Sequence, residues 1–320
     1  MTSRVEGEVP LLTDAELDAL RTGPSPIRPI REAKDHLVGV REYHGWTLNK
    51  LDVLRNYLKM YRQVAGGGTF IDAFAGTGSG VSFLNGQEHP SDGSSVIAAM
   101  SGAFSSLHLI ENDRRNVKAL TAAIEALPAR QSRKVRIHPK DCNRRIPELL
   151  ASPELNATRP CFALLDQDST QLNWRTIEKL ARWKTYKPPT TLTGRPRECK
   201  VEMWILFNSH QAIYRLWPSD RNKYPETISP VTLDRVFGTR KAWWDLWQSC
   251  QPASALVFRF IELLRGLGYQ YVVPQLFNDP RTRRPQYHMI HATDHPSAIS
   301  FMRWAKRSTD GYENQQIPGL

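Results

Sequence analysis

The stretch FIDAFAGTGSG, which runs from Phe70 to Gly80, decides the fold of this 320-residue chain. Its apolar first half leads into the acid Asp72, which is typical of a buried strand that ends in a turn. Gly76, Gly78 and Gly80 then permit positive φ and leave the backbone without Cβ atoms, so that a ligand can approach it closely. The stretch therefore predicts a strand followed by a turn that cradles a nucleoside-bearing cofactor.

Two other glycine-rich loops fit this stretch less well. A Walker A loop would end in Gly-Lys-Ser or Gly-Lys-Thr, and no such residues follow Gly80. The dinucleotide fingerprint G-x-G-x-x-G would place its third glycine where the chain has Val81. An NAD-dependent oxidoreductase is therefore disfavoured, and the spacing fits a G-x-G-x-G methyltransferase loop better.

Apolar runs alternate with helical spacing along the rest of the chain. The runs are TFIDAF (69–74), SLHLIE (106–111), KVRIHP (134–139), CFALLD (161–166) and VEMWILF (201–207). This alternation predicts an α/β, Rossmann-like fold with a mostly parallel sheet and crossover helices. The late runs YQYVVPQLF and YHMIHAT, joined by NDPRTRRP, predict a C-terminal antiparallel hairpin that closes the sheet.

Acids stand at the ends of four successive strands, namely Asp72, Glu111, Asp141 and Asp166. In such folds, ligands bind in the crevice outside the carboxyl ends of the strands. Glu111 suits the two ribose hydroxyls of a cofactor, and Asp141 suits an adenine amine. Each acid could instead be an exposed strand-end charge or a helix N-cap. The predicted cofactor-binding residues are Asp72, Phe74, Gly76, Thr77, Gly78, Gly80, Glu111, Asn112, Asp141, Cys142 and Asp166.

Asp166 and Gln167 are the predicted catalytic residues. Asp166 could orient an amine or act as a base, and Gln167 could present its amide to a substrate edge. Asp168 could equally be a helix N-cap. The late histidines His288, His291 and His295 lack the carboxylates of a metal site, so no metal is predicted.

A series of motifs resembles the three-Cys-motif partner proteins (TcmP) and covers most of the chain after residue 45. The motifs are W-T-x-x-K-x-x-x-L-x-x-Y-L from Trp46, FIDAFAGTGSG, HLIENDRRN, KDCN, ALLDQDSTQLNWRTIEKLA and HATDHPSAISFMRWA. The resemblance implies a class I methyltransferase fold that binds S-adenosylmethionine (SAM) through Asp72, the loop glycines, Glu111 and Asp141. Since the family was named for a genomic partner, it also implies a protein partner with a three-cysteine motif.

The turn after the fourth strand departs from this family. Related sequences usually carry Asp-Pro followed by an aromatic residue or glycine, whereas this chain reads Asp166-Gln167-Asp168-Ser169. Methyltransferases that act on nucleobase amines use two prolines to aim backbone carbonyls and an aromatic ring to stack on the flipped base. Because this chain lacks these groups, the sequence disfavours methylation of adenine N6.

Composition and motif order divide the chain into three parts. Residues 1–44 mix proline, glycine and charge without periodicity and predict a partly disordered arm. Residues 45–309 predict the methyltransferase-like domain, with helical insertions at 184–200 and 208–250, and residues 310–320 form a tail. The chain has no apolar run of membrane-spanning length and no signal sequence, and its four separated cysteines predict reduced thiols. A cytoplasmic location is expected.

The net charge of +11 and the pI near 9.6 favour an acidic partner. The leading hypothesis is a SAM-dependent methyltransferase acting on RNA or DNA. The alternative is a non-catalytic SAM-binding or scaffold protein with the same fold. The tryptophans of 210–250 follow helical spacing and predict a local core. The predicted phosphate contacts are Arg195, Arg197, Lys200, Arg281, Arg283 and Arg284.

Overall fold

The computed structural model describes residues 43, 45–65, 67–84, 87–187, 197–217, 230–279 and 282–310. Its helices are α1 (Gly45–Ala65), α2 (Ser94–Ser101), α3 (Arg114–Glu125), α4 (Ala129–Ser132), α5 (Cys142–Ala151), α6 (Trp174–Arg182), α7 (Pro230–Phe237), α8 (Lys241–Gln248), α9 (Ala255–Gly266) and α10 (Pro296–Asp310). Its strands are β1 (Gly68–Asp72), β2 (Ser79–Leu84), β3 (Gln87–Asp92), β4 (Phe104–Glu111), β5 (Val135–Pro139), β6 (Cys161–Leu165), β7 (Lys184–Lys187), β8 (Arg197–Lys200), β9 (Glu202–Phe207), β10 (Tyr271–Asn278) and β11 (Pro285–Thr293).

Seven strands form the central sheet in the order β10-β11-β9-β6-β1-β4-β5. Pairing is parallel from β9 to β5, and β11 runs antiparallel to both β9 and β10. The predicted Rossmann-like fold, a mostly parallel sheet closed by a C-terminal antiparallel hairpin, is confirmed. The chain builds outward from β1 to β5 and then returns to β6 on the other side of β1. This reversal creates a crevice at the carboxyl ends of β1 and β6, where ligands of such folds bind.

The centre of the sheet is buried on both faces, which explains why its strands are rich in apolar residues. Every residue of β1 and of β6 is buried. Helices α1, α2, α3 and α10 cover one face, and α5, α6, α7, α8 and α9 cover the other. Trp243 of α8 is fully buried and Trp244 and Trp247 pack against the same cluster, which confirms the predicted local core.

Several segments differ from the sequence prediction or lie outside the described residues. The polar loop expected after Gly80 contains a hairpin of β2 and β3, because the segment QEHPSD is polar on both faces and gives no strand signal. The insertion 184–200 contains a hairpin of β7 and β8. Tyr43, predicted to lie in the arm, is buried and donates its N–H to Val81 O at 2.7 Å. Residues 1–42 and 311–320 are outside the described part.

No helix within the described ranges combines the length and the apolar character needed to cross a bilayer. All four cysteines are free thiols.

Candidate functional site

Asp72 ends β1 at the crevice and organises the chain around it. Its fully buried carboxylate accepts hydrogen bonds from Ser94 Oγ at 2.7 Å, Ser95 Oγ at 3.1 Å and the Phe74 N–H at 3.2 Å. Burial raises the pKa of Asp72 to about 6, with a further contribution from Asp166 across the crevice. One carboxylate thus fixes both the start of the glycine turn and the first residues of α2.

Glu111 ends β4, and its carboxylate faces the glycine turn. Oε2 accepts from the Gly76 N–H at 2.8 Å, and Oε1 accepts from the Asp113 N–H at 2.8 Å. Gly76 has φ 61°, a left-handed conformation that a glycine adopts without strain. Each carboxylate oxygen has lone pairs beyond these bonds, so Glu111 can also accept from the two hydroxyls of a ribose.

The other two glycines of the turn serve purposes that the sequence did not predict. Gly78 has φ 78°, and a Cβ atom there would lie 2.9 Å from Leu120 Cδ1 and 3.2 Å from Ala123 Cβ of α3. Its missing side chain therefore makes room for α3 and not for a ligand. Gly80 lies within β2, opposite Ser91, and so belongs to the hairpin.

Beyond Glu111, the adenine side of the predicted site lies at the ends of β4 and β5. Asn112 is exposed directly after β4. Asp141 caps α5 and accepts from the Arg144 N–H at 3.2 Å, which is the alternative role considered from the sequence. Cys142 is buried, and burial raises the pKa of its thiol to about 12. An adenine contact by Asp141 stays a prediction.

Asp166, at the end of β6, forms an ion pair with Lys50 of α1. The two side chains are only 17% and 10% exposed, and Lys50 Nζ also lies 5.8 Å from the ring centroid of Tyr287. Sequence reasoning quoted Lys50 in a motif but gave it no role. The helical spacing could have revealed this role, because it puts Lys50 on the same helix face as the buried Leu54 and Tyr61. A cation on a buried face needs an oppositely charged partner.

Gln167 does not present its amide to the crevice. The side chain is buried, its Nε2 donates to Leu206 O at 3.1 Å, and its Oε1 accepts from the Leu172 N–H at 2.8 Å. One end ties the turn after β6 to β9 and the other ties it to the segment before α6, so neither end of the amide is free for the expected contact with a substrate edge. Asp168 is exposed, and Asn173, not Asp168, is the N-cap of α6.

The predicted phosphate contacts separate in space. Lys200 lies at the amino end of β9, away from the crevice, where its Nζ donates to Gly268 O at 2.8 Å and pairs with Asp294 at 3.3 Å. This placement argues against a phosphate contact by Lys200. Arg283 and Arg284 are exposed in the turn before β11, at the carboxyl edge. Arg195 and Arg281 lie outside the described residues, and of Arg197 only its place in β8 is described.

Four further arginines stand at the carboxyl edge and were missed from the sequence. Arg114 and Arg115 open α3, Arg144 lies in the first turn of α5, and Arg175 is the second residue of α6. All four are exposed. A cation at a helix N-terminus opposes the helix dipole and costs about 0.3 to 1 kcal/mol, so stability does not explain their positions. We call these four, together with Arg283 and Arg284, the basic rim.

A cluster of two histidines and a glutamate lies on the sheet face covered by α5 and has the residue types of a metal site, although the sequence predicted none. His108, His138 and Glu154 bring possible ligand atoms within 4.8 Å of one another. However, Arg145 Nε donates to His138 Nδ1 at 3.2 Å, which leaves the proton of that ring on Nε2, 3.1 Å from His108 Nδ1. Burial lowers the pKa of both imidazoles to about 4. These contacts favour a neutral hydrogen-bonded network over a metal site.

A cleft of about 60 Å³ lies at the opposite, amino edge of the sheet. Lys200 and Asp294 line it together with Glu202, which accepts from Tyr57 Oη and lies 2.8 Å from His291 Nε2. None of the predicted cofactor-binding residues lines this cleft. The chemistry that suits a nucleoside is concentrated at the carboxyl edge, so we place the candidate site there.

No family model matches this chain, and no curated protein matches it. Solved structures with a similar course include a Legionella pneumophila protein described under the family model DUF519, at 13% identity and TM-score 0.48, covering 84% of this chain and 92% of that one. M. jannaschii TYW2 in complex with AdoMet has 9% identity and TM-score 0.37, over 78% and 76%. A Bacillus cereus O-methyltransferase in complex with SAH has 11% identity and TM-score 0.40, over 74% and 79%. At these values the likeness transfers no function to this chain.

Proposed function

We propose that this chain is a SAM-dependent methyltransferase that acts on nucleic acid. The observation that carries the proposal is the Glu111 carboxylate, bonded to the Gly76 N–H at the carboxyl edge of a Rossmann-like sheet. Glu111 would bind the ribose hydroxyls, Asp141 would contact the adenine edge, and Asp72 would hold the glycine turn in shape. SAM would supply a methyl group activated by a cationic sulfur.

The basic rim supports nucleic acid as the acceptor. Its six arginines are exposed along the edge that holds the crevice, and four of them occupy helix starts where their charge is unfavourable for the helix. Arginine pairs with phosphate through bidentate hydrogen bonds, and such contacts supply most of the affinity for a nucleic-acid backbone. A substrate bound along the rim would place a base or sugar at the crevice.

Replacing Glu111 with glutamine tests the cofactor site. We expect SAM to bind the variant about ten to a hundredfold more weakly, because one charge-assisted hydrogen bond contributes about 1.5 to 3 kcal/mol. Isothermal titration calorimetry measures this, with Glu125→Gln, an exposed glutamate at the end of α3, as the matched control. An unchanged Kd for Glu111→Gln would contradict the assignment of Glu111. Failure of the wild type to bind SAM would remove the methyltransferase proposal altogether.

Neutralising part of the basic rim tests the substrate class. The double variant Arg114→Gln, Arg115→Gln should bind single-stranded RNA of mixed sequence more weakly. The slope of the logarithm of the binding constant against the logarithm of the salt concentration should be shallower by about 1.4, because each lost phosphate contact removes about 0.7 from it. Arg182→Gln is the control, since Arg182 is similarly exposed but lies at the far end of α6. Fluorescence anisotropy over a range of salt concentrations gives both quantities. Equal slopes for the variant and the wild type would count against the rim.

The non-catalytic alternative has one specific observation in its favour. Neither predicted catalytic group is free, because Asp166 is paired with Lys50 and both ends of the Gln167 amide are bonded to the backbone. A scaffold that holds SAM and serves a protein partner, such as one with a three-cysteine motif, needs no free group there. Tight SAM binding without label transfer from methyl-labelled SAM to RNA, DNA or protein fractions would favour this alternative.

A further inference from the structure

Ser209, His210 and His288 form a polar cluster just beyond the end of β9. Ser209 Oγ lies 2.8 Å from His288 Nδ1 and 3.0 Å from His210 Nδ1. The two imidazole rings are nearly parallel, at 22°, with centroids 6.0 Å apart. One hydroxyl therefore links the same nitrogen of two histidines, one in the turn after β9 and the other in β11.

The hydroxyl constrains where the protons of the two rings can be. A serine hydroxyl carries one hydrogen, so it can donate to only one of the two Nδ1 atoms. The other Nδ1 must then carry its own proton and donate to Ser209 Oγ. In a neutral ring of that tautomer, the lone pair lies on Nε2. At least one of the two imidazoles therefore presents a basic Nε2.

Both rings are neutral at physiological pH and keep Nε2 accessible. Burial lowers the pKa of His288 to about 4 and also lowers the pKa of His210. Within the part of the chain that the structure describes, no group bonds to either Nε2 atom, and neither atom is fully enclosed. These two nitrogens can therefore meet a bound molecule.

The cluster lies next to the candidate site along the carboxyl edge. His288 is opposite Phe207 at the end of β9, and β9 pairs with β6, about 5 Å away, which leads to Asp166. Asn208 Nδ2 donates to Asp168 O at 2.5 Å, which ties the end of β9 to the turn after β6. Glu111 lies on the other side of β1, so along the carboxyl edge the cluster lies on the side of β1 away from the expected ribose.

We propose that His210 and His288, with tautomers set by Ser209, form an acid–base site for a methyl acceptor whose nitrogen or oxygen carries a proton. The inference rests on the proposed methyltransferase function and names the acceptor side of that site. The acceptor class is an amine, amide or hydroxyl group of a nucleotide. The imidazoles would touch the acceptor, and Ser209 would be a positioning residue.

The proton balance explains why a neutral imidazole suits this place. When the acceptor attacks, a new N–C or O–C bond forms with the methyl carbon, the C–S bond breaks, and its electron pair stays on sulfur. The acceptor then holds one proton too many, and the Nε2 lone pair receives it. A methylated, cationic acceptor is far more acidic than the neutral one, so even a weakly basic imidazole can take its proton.

Long-range ¹H–¹⁵N spectra of histidine-labelled, full-length protein test the proposal without substrate. His210→Gln and His288→Gln assign the two rings. We expect an Nδ1–H tautomer in at least one of them, its loss in Ser209→Ala and its retention in Ser209→Thr, which keeps the hydroxyl. Finding both rings as Nε2–H tautomers in the wild type would overturn the proposal.

Transfer of label from methyl-labelled SAM into total cellular RNA and DNA supplies the second readout. His288→Gln and His210→Gln together should lower the turnover by about a hundredfold or more, the low end of the contribution typical of an acid–base group, while the calorimetric Kd for SAM is unchanged. His295→Gln, beyond the amino-edge end of β11, is the control. Normal transfer by the double variant would overturn the acid–base site alone. Absence of SAM binding in the wild type would instead contradict the proposed function.

Discussion

Replacing Gly78 with valine is expected to lower the free energy of unfolding by about 2 to 5 kcal/mol, which is the sum of two separate costs. A non-glycine residue at φ 78° pays roughly 1 to 2 kcal/mol for the left-handed conformation. Overpacking adds about 1 to 3 kcal/mol, because the new Cβ would approach Leu120 Cδ1 at 2.9 Å and Ala123 Cβ at 3.2 Å. Urea denaturation followed by circular dichroism measures the change.

The matched control for this substitution is Gly266→Val at the end of α9. A Cβ atom at Gly266 has nothing within 4 Å, and valine forms helix at least as well as glycine, so the change should be within about 0.5 kcal/mol. Equal stability of the Gly78 and Gly266 variants would mean that the turn can move away from α3. Loss of SAM binding in a Gly78 variant says little about a cofactor contact, because the packing of α3 is lost with it.

The sheet was predictable because burial on both faces leaves an unambiguous trace in the sequence. Each residue of β1 and β6 is buried; β6 reads as the unbroken apolar run CFALL, and β1 has Phe70 and Ile71 before its terminal acid. The strand β3 was missed because QEHPSD has no apolar face, and it forms by pairing with β2. Local patterns report burial, so strands that are not buried stay hidden.

The site was predictable where one residue acts alone and unpredictable where partners come from distant parts of the chain. Glu111 follows its strand directly, and the glycine turn it faces is a local pattern. The pairing of Lys50 with Asp166 joins residues 116 positions apart. Gln167 offers an amide in the sequence, but only the fold reveals that Leu206 and Leu172 use both of its ends.

The basic rim illustrates the same limit for a surface. The predicted phosphate contacts came from the insertion 184–200 and from the turn NDPRTRRP, where basic residues are close together in the chain. Arg283 and Arg284 of that turn do belong to the rim. The other four arginines of the rim are spread over three helix starts, and only the parallel sheet brings Arg114, Arg144 and Arg175 to one side. Clustering in the sequence therefore found two of the six arginines and missed the four that cluster only in space.

The ion pair between Lys50 and Asp166 should dominate the stability of the crevice. Lys50→Met keeps the length of the side chain but leaves the Asp166 carboxylate without its cation, which should cost about 3 kcal/mol for a pair this well buried. The double variant Lys50→Met, Asp166→Asn removes both charges and should recover most of that loss. Urea denaturation of the four proteins in the double-mutant cycle gives the coupling directly.

An exposed pair on the same helix is the control for this cycle. Arg55 and Asp52 form an ion pair whose side chains are 26% and 53% exposed, so Arg55→Met should cost less than about 1 kcal/mol. If Lys50→Met is no worse than Arg55→Met, the carboxylate of Asp166 finds solvent or another donor in the crevice. That outcome would mean that Asp166 does not depend on Lys50, and it would remove the main observation that favours a non-catalytic scaffold. A large coupling would instead require a substrate amine to displace Lys50 before Asp166 could orient it.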